Sequence, residues 1–455
     1  MRAGNAVMYF GGSREHDGQG QVSSAAAFVL LREEVLSRNT TAMAIGPLLG
    51  LFIVSLGSGF MSSLTSLRLD AAAVSATMIG AISSAYFVGL TLGAVTSDRL
   101  ITRVGHIRSY SSFASLASIT YLLQGLIFDP WLWLFLRLVN GWAMVGIYLV
   151  VESWLLLAGD TKSRGRLLAI YMIALYGSIM LAQMGLGAVS SAGDSVPFMV
   201  AGVLGSLAVL PMVILPRTAP EVGHVEPLMP QDLVRITPAG AIGSFGSGIG
   251  IAAVYTLLPI YLQRQGMSVA EVGQLMASAI FGAMALQYPV GRWSDRRDRQ
   301  SVLLALSVGC AVVSLLVLIL PSYPPLLMVL LFLIGGGVFA IYPVAVSHSA
   351  DRADARELVR VIQGMLLINS VGSALSPLII SPLMTRVGAE GLFLTFVVLH
   401  AGLASFFLWR RNSHPSSVSA APFAATPQMT PIGAEIRVTE ELAQAMSNAK
   451  TGHED

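Results

Sequence analysis

The chain is predicted to be an all-α integral membrane protein, with twelve transmembrane helices in two pseudo-symmetric six-helix bundles. Three observations predict this. Hydrophobic residues make up 54% of the 455 residues and charged residues only 11%, whereas a soluble chain is about a quarter charged. Apolar stretches of about twenty residues, enough to cross a ~30 Å hydrocarbon core, recur from Ala42 to about residue 410. A charged turn between two such stretches occurs twice, near 93–108 and at 291–300, with Asp98 and Asp295 separated by 197 positions. A turn that recurs at a little under half the chain length is the pattern of a duplicated membrane protein.

Taken in order, residues 1–41 mix Gly, Ser and scattered charge and read as a disordered leader. Their apolar piece Ala25–Leu31 runs into Arg32, Glu33 and Glu34, not into the small-residue cleavage site of a signal peptide. The first bundle, 42–216, holds predicted spans at 42–65, 76–97, 107–128, 131–151, 166–188 and 196–216. Residues 217–236 carry Pro220, Pro227 and Pro230, which block a continuous helix, and read as a cytoplasmic linker. The second bundle, 237–410, holds spans at 237–262, 272–292, 301–321, 325–348, 358–384 and 390–409. The tail, 411–455, is rich in Ala, Pro, Ser and Thr and reads as disordered. Helices satisfy their own backbone in lipid. A barrel would need alternation, and these runs do not alternate.

Basic residues orient the spans. With the N-terminus in the cytoplasm, fifteen Lys and Arg fall in inner loops and three, Arg68, Arg264 and Arg386, in outer ones. An odd number of spans would destroy that bias, so both termini are expected inside a cytoplasmic (inner) membrane. A second repeat supports duplication: Gly146-Ile147-Tyr148-Leu149-Val150 resembles Ala340-Ile341-Tyr342-Pro343-Val344, 194 residues later.

Other classes find no footing. The net charge of +2 does not suggest nucleic-acid binding. The single cysteine, Cys310, permits no internal disulfide, and the seven histidines show no ligand spacing. No P-loop, nucleophile motif or dinucleotide fingerprint occurs, so neither an enzyme nor a bound cofactor or metal is expected.

These residues resemble the major facilitator superfamily of secondary transporters and, within it, the YcaD-like permeases. The likeness rests on the turn Asp98-Arg99 with Arg103, Gly105 and Arg108, and on its counterpart Gly291–Arg299. It rests also on Arg137-Leu138-Val139-Asn140-Gly141, Val151-Glu152-Ser153-Trp154, Arg164-Gly165-Arg166-Leu167-Leu168-Ala169 and Ile341-Tyr342-Pro343-Val344-Ala345. It runs from about 43 to 410. In the first turn Asp98 stands five residues after Gly93, where the family's pattern has four. The fifth span has Gly185-Leu186-Gly187 without the Gly-Pro pair of the drug/proton antiporters.

Within the spans one charge lies well away from an end, Arg137, about 9 Å inside if the fourth helix starts at Trp131. Charge at such depth turns inward or toward water and marks a functional site by default. At 100° per residue Arg137, Asn140, Met144, Tyr148 and Glu152 share one face. The corresponding residue of the second bundle, 194 positions on, is Leu331, so the shared fold does not demand an arginine there. Arg137 either binds substrate or gates protons at a central cavity, or it snorkels and bonds a neighbouring helix. Glu152 is read as a partner for the basic Arg164–Arg166 loop, with a titrating role as the alternative. No span carries an acidic residue in its middle, so proton coupling would run through Glu152 or the substrate.

Tyr176 and Gln183, seven apart on one face, together with Gln287 and Asn369, could contact a solute or bond between helices. Tyr86, Tyr171, Tyr255 and Tyr342 could likewise line a cavity. The turns carry a gating expectation: Asp98 and Asp295 cap neighbouring amides and pair with arginines. Arg99, Arg103, Arg108, Arg164, Arg166, Gly291, Arg296 and Arg299 complete the set that would latch the cytoplasmic side. The expected function is secondary transport of a small organic solute by a monomer in the bilayer, through rocker-switch alternating access. The alternative is a non-transporting receptor or scaffold on the same fold.

Overall fold

The computed structural model describes residues 44–158, 164–214, 233, 237–353 and 358–413. The predicted leader, the linker apart from Leu233, and nearly all of the tail lie outside the described residues. The described residues fold into helices α1 (Ala44–Ala71), α2 (Ala76–Val104), α3 (His106–Leu126), α4 (Pro130–Ala158), α5 (Arg164–Ser191) and α6 (Val196–Ile214). Then come α7 (Pro238–Thr256), continued by the short helix Leu258–Arg264, α8 (Val269–Arg296), α9 (Arg299–Ile319), α10 (Pro324–Ala350), α11 (Leu358–Val387) and α12 (Gly391–Ser413).

Eleven of these are long and apolar enough to cross a membrane. The exception, α3, spans 21 residues, about 31 Å at 1.5 Å per residue. Ser109, Ser111, Ser112, Ser115 and Ser118 dilute its apolar character. The predicted crossing at 107–128 thus corresponds to a helix of sufficient length whose composition sets it apart from the other eleven.

Local signals start the helices. Ser75 accepts a hydrogen bond from the Met78 amide at the head of α2, and Ser268 forms a reciprocal capping box with Glu271 at the head of α8. Both satisfy amides that a helix start leaves open. Pro130, Pro238 and Pro324 stand in first turns, where no amide hydrogen is needed. Between α2 and α3 Gly105 has φ 87°, a left-handed conformation that favours glycine.

The duplication is visible in these bounds. α2 and α8 begin at 76 and 269, α4 and α10 at 130 and 324, and α6 and α12 at 196 and 391, an offset of 193 to 195 throughout. Backbone crossings repeat with it. A Cβ on Gly89 would collide with the Leu138 carbonyl, and one on Gly141 with that of Tyr86, where α2 crosses α4. Gly282 against Phe332 and Gly335 against Ala279 do the same where α8 crosses α10. The aspartates that predicted the repeat are not equivalent, however. In the α2/α8 register of 193, Asp98 falls on Gly291 and Asp295 on Thr102, one helical turn apart. The basic residues Arg99 and Arg103 do fall on Arg292 and Arg296.

Within the first half α2 and α3 pack on α4, and α3 on α6; within the second α8, α9 and α7 pack on α10, α9 on α12 and α7 on α11. The halves meet along α2–α11 and α5–α8, partners exchanged by the same offset. A continuous apolar core joins both halves through the end bearing the short, arginine-poor turns. At the other, arginine-rich end the second half has a core cluster of its own, including Val302, Ile341, Tyr342, Ile362 and Phe407. Large exposed apolar residues such as Leu122, Val203, Val312 and Val398 stud the outer surface, as lipid contact requires.

Candidate functional site

Close packing of α2 on α4 builds the site. Because Gly141 brings the α4 backbone against the Tyr86 carbonyl, Arg137, one turn earlier, is laid over the Tyr86 ring. Its guanidinium carbon is 4.4 Å from the ring centroid, a cation–π geometry. Arg137 is 2% exposed, and its Nε has no hydrogen-bond partner. No carboxylate pairs with it among the described residues. A buried, unpaired cation is costly, so its retention calls for a compensating role.

Arg137 lies on the wall of a cavity lined by residues of both halves. α1 contributes Ser58, Gly59 and Ser62, and α2 contributes Tyr86 and Phe87. Tyr121 comes from α3, Asn140 and Tyr148 from α4 beside Arg137, and Ile179 from α5. The second half adds Tyr255 and Thr256 at the end of α7. Asn140 is fully buried and donates from Nδ2 to Thr120 Oγ1 at 2.9 Å. Phe339 of α10 packs edge-on against Tyr176 of α5 at 6.1 Å and Tyr255 at 5.5 Å, an aromatic bridge between the halves.

Of the residues predicted from sequence, Arg137, Asn140 and Tyr148 come together on this wall, with Tyr86 and Tyr255 beside them. Tyr176 stands in the adjoining bridge. Gln183 is elsewhere: its Nε2 donates to the Gly59 carbonyl (2.7 Å) and to Ser63 (2.9 Å), and its amide is used up joining α5 to α1. Asn369 likewise donates to the Ser244 carbonyl (2.9 Å), joining α11 to α7. Gln287 is buried on α8, away from the cavity lining. Glu152 is buried toward the arginine-rich end, within electrostatic reach of Tyr171 and, from the second half, Tyr342. Its predicted partner Arg164 has a side chain outside the described residues, and Arg166 is exposed.

Sequence reading missed Tyr121, Ser58, Ser62 and Thr256. Hydroxyl residues are scattered through every span, and only the three-dimensional packing selects these.

The predicted latch residues spread over the arginine-rich end. Arg99, Arg103, Arg108, Asp295 and Arg296 are exposed, Asp98 is half-buried and Gly291 is buried. Arg299 is different: buried, it donates from Nε to Asp351 Oδ2 at 2.5 Å, with Asp295 at 4.0 Å. The acid that caps a helix here is Asp298, which accepts from the Ser301 amide at 3.0 Å.

The arginine-poor end holds contacts that sequence did not suggest. Gly80 of α2 abuts Pro377 of α11, and Gly273 of α8 abuts Gln183 of α5, two contacts exchanged by the repeat. Ser381 donates to the Ala76 carbonyl (2.7 Å), and Arg264 pairs with Asp70 (2.7 Å) across the halves. That end is closed.

A family profile described as Major Facilitator Superfamily matches residues 40–266 and 240–444. The chain is 33% identical over 383 residues to an uncharacterized MFS-type transporter of Yersinia pestis (strain Pestoides F), covering 83% of this chain and 97% of the relative. It is 31% identical over 351 residues to the uncharacterized MFS-type transporter YcaD of Salmonella arizonae, covering 76% and 90%. Among solved structures, the nucleoside transporter NupG superposes with TM-score 0.66 at 14% identity, covering 81% of this chain and 98% of that one. A bacterial homologue of the human lysosomal transporter Spinster, inward-facing and unoccupied, gives 0.66 at 15% identity, covering 83% and 97%. At such identities the two structures speak to the fold alone.

Proposed function

The chain belongs to the Major Facilitator Superfamily of membrane transporters, and from that premise we propose a secondary active transporter that moves a small organic anion or zwitterion across the cytoplasmic membrane. The two halves, 42–216 and 237–410, rock about the cavity, so that it faces one side and then the other. The arginine-rich end lies in the cytoplasm with both termini, and the working unit is a monomer. No nucleotide-binding motif stands in the sequence, so the driving force is a solute or ion gradient rather than ATP.

One observation carries the reading: a buried guanidinium on the wall of a cavity between the halves, with no protein carboxylate to neutralise it among the described residues. A ligand with negative charge supplies the missing partner each time it enters. Reconstitution into liposomes with a metabolite panel, at two pH values, tests it. Uptake of at least one anionic or zwitterionic solute is expected in wild type, with a loss of tenfold or more in Arg137→Ala. Equal uptake of every solute by both proteins would discard the assignment. A pH dependence that persists with a solute of fixed charge assigns coupling to the protein rather than to the substrate.

The charged turns are proposed to hold the arginine-rich end shut when the other end opens. Asp295→Ala, inserted normally, should transport more slowly, and full rates in that variant remove the latch.

A further inference from the structure

The cavity's chemistry narrows the ligand further, given the reading of the cavity as the solute site. Among the described residues lining it Arg137 is the only charged one, so one negative charge balances the wall. A dianion would carry a second charge into a site with no second cation. A zwitterion would bring an ammonium to walls that hold no carboxylate. Burial of either unbalanced charge is disfavoured.

The neighbouring amide adds a second requirement. Thr120 Oγ1 donates to the Ala117 carbonyl at 2.7 Å, so toward Asn140 that oxygen can only accept. It accepts from Asn140 Nδ2 at 2.9 Å, which fixes the orientation of the amide. Asn140 Oδ1 is therefore an acceptor, and it is buried at the cavity without a partner. The Tyr121 hydroxyl on the same wall is within hydrogen-bonding reach of the Asn140 amide and of Ser58, which leaves Asn140 Oδ1 as the open acceptor. Buried polar atoms of this kind are normally satisfied. Arg137 and Asn140 stand three apart on one helix, about 5–6 Å between Cβ atoms, within the reach of two adjacent groups on one small molecule.

We propose that the ligand is a monocarboxylate bearing a hydroxyl beside the carboxylate, on an apolar or aromatic body. The carboxylate accepts from the Arg137 guanidinium, and the hydroxyl donates to Asn140 Oδ1. The cavity holds about 40 Å³ in this conformation, room for a few waters, so it widens between the halves to take the body against the Tyr148 and Tyr255 rings.

A matched series of phenyl compounds tests this on the full-length protein in detergent, read by the shift of the melting temperature with ligand concentration. Mandelate is the probe. Phenylacetate lacks the hydroxyl, mandelamide lacks the charge, phenylglycine is a zwitterion and phenylmalonate a dianion. Mandelate should bind about tenfold or more tighter than each of the others. In Asn140→Leu the preference for mandelate over phenylacetate should fall to about one. In Arg137→Gln the preference over mandelamide should vanish. Tighter binding of phenylglycine, mandelamide or phenylmalonate by wild type overturns the proposal, as does a wild-type protein stabilised by none of the series. So does an Asn140→Leu protein that keeps its preference for the hydroxyl. Counterflow of radiolabelled mandelate in liposomes separates the two claims. Selective binding without counterflow removes transport and leaves the ligand class; counterflow of other solutes without mandelate binding does the reverse.

Discussion

Two buried arginines in this chain meet opposite fates. Arg299 reaches Asp351, Asp295 and Ser294 at the arginine-rich end, while Arg137 has a tyrosine ring beneath it and a small cavity before it. Breaking the first pair should be costly: Asp351→Asn is expected to lower stability by about 3–5 kcal/mol, read as a fall in melting temperature. The second should behave in the opposite sense. Arg137→Met removes an uncompensated charge and is expected to stabilise the ligand-free protein by about 1–4 kcal/mol while abolishing uptake. A lower melting point for that variant would mean that Arg137 holds the fold. Arg137 was legible in the sequence because a charge inside an apolar run has few bland explanations. Gln183 and Asn369 carried the same polar signal as Asn140, and only packing shows that their amides are occupied between helices. Tyr121 was not legible, since nothing in a sequence tells an aromatic that lines a cavity from one that fills a core.

At the scale of helices, glycine determines where the site forms. Gly89 and Gly141 let α2 and α4 approach until backbone meets backbone, and Gly282 and Gly335 repeat the contact in the second half. Any side chain at these positions must push the helices apart, a kind of overpacking worth about 1–3 kcal/mol. Gly141→Val should therefore lower the melting temperature and also weaken solute binding, because it lifts Arg137 away from Tyr86. Gly335→Val should cost similar stability and leave binding closer to wild type, since α10 supplies no cavity wall residue. Equal losses of binding in the two variants would contradict this account. Eleven crossing helices and their order were legible from apolar length, and the helix starts from Ser75, Ser268 and the three prolines. The register of the repeat was misjudged from Asp98 and Asp295, because a charged turn tolerates a one-turn shift that a glycine crossing does not.

At the scale of the whole molecule, the two halves are clamped at the arginine-poor end and share no core cluster at the other. The Arg264–Asp70 pair belongs to that clamp. Being partly exposed it is worth about 0.2–1 kcal/mol, so Asp70→Ala should raise opening at that end by a factor of about 1.4 to 5. Labelling of a Ser62→Cys reporter in a Cys310→Ser background, by an impermeant thiol reagent, would read the change. The exchange Asp70→Arg with Arg264→Asp should restore the slow rate, and failure of the exchange to do so would remove the pair from the clamp. The duplicated architecture was visible in composition and spacing, but the clamp was not, because its partners lie far apart in the chain, 194 residues for Arg264 and Asp70 and 305 for Ser381 and Ala76.

The cavity draws its polar groups from α1, α2, α3 and α4 and takes only Tyr255 and Thr256 from beyond the midpoint of the chain. In the proposed transport cycle the two copies have unequal jobs: the first is a cradle, the second a shutter. A passenger seated on Arg137 would travel with the cradle through the whole cycle, and exchange of the shutter for that of a relative should change the speed of the journey more than the choice of passenger.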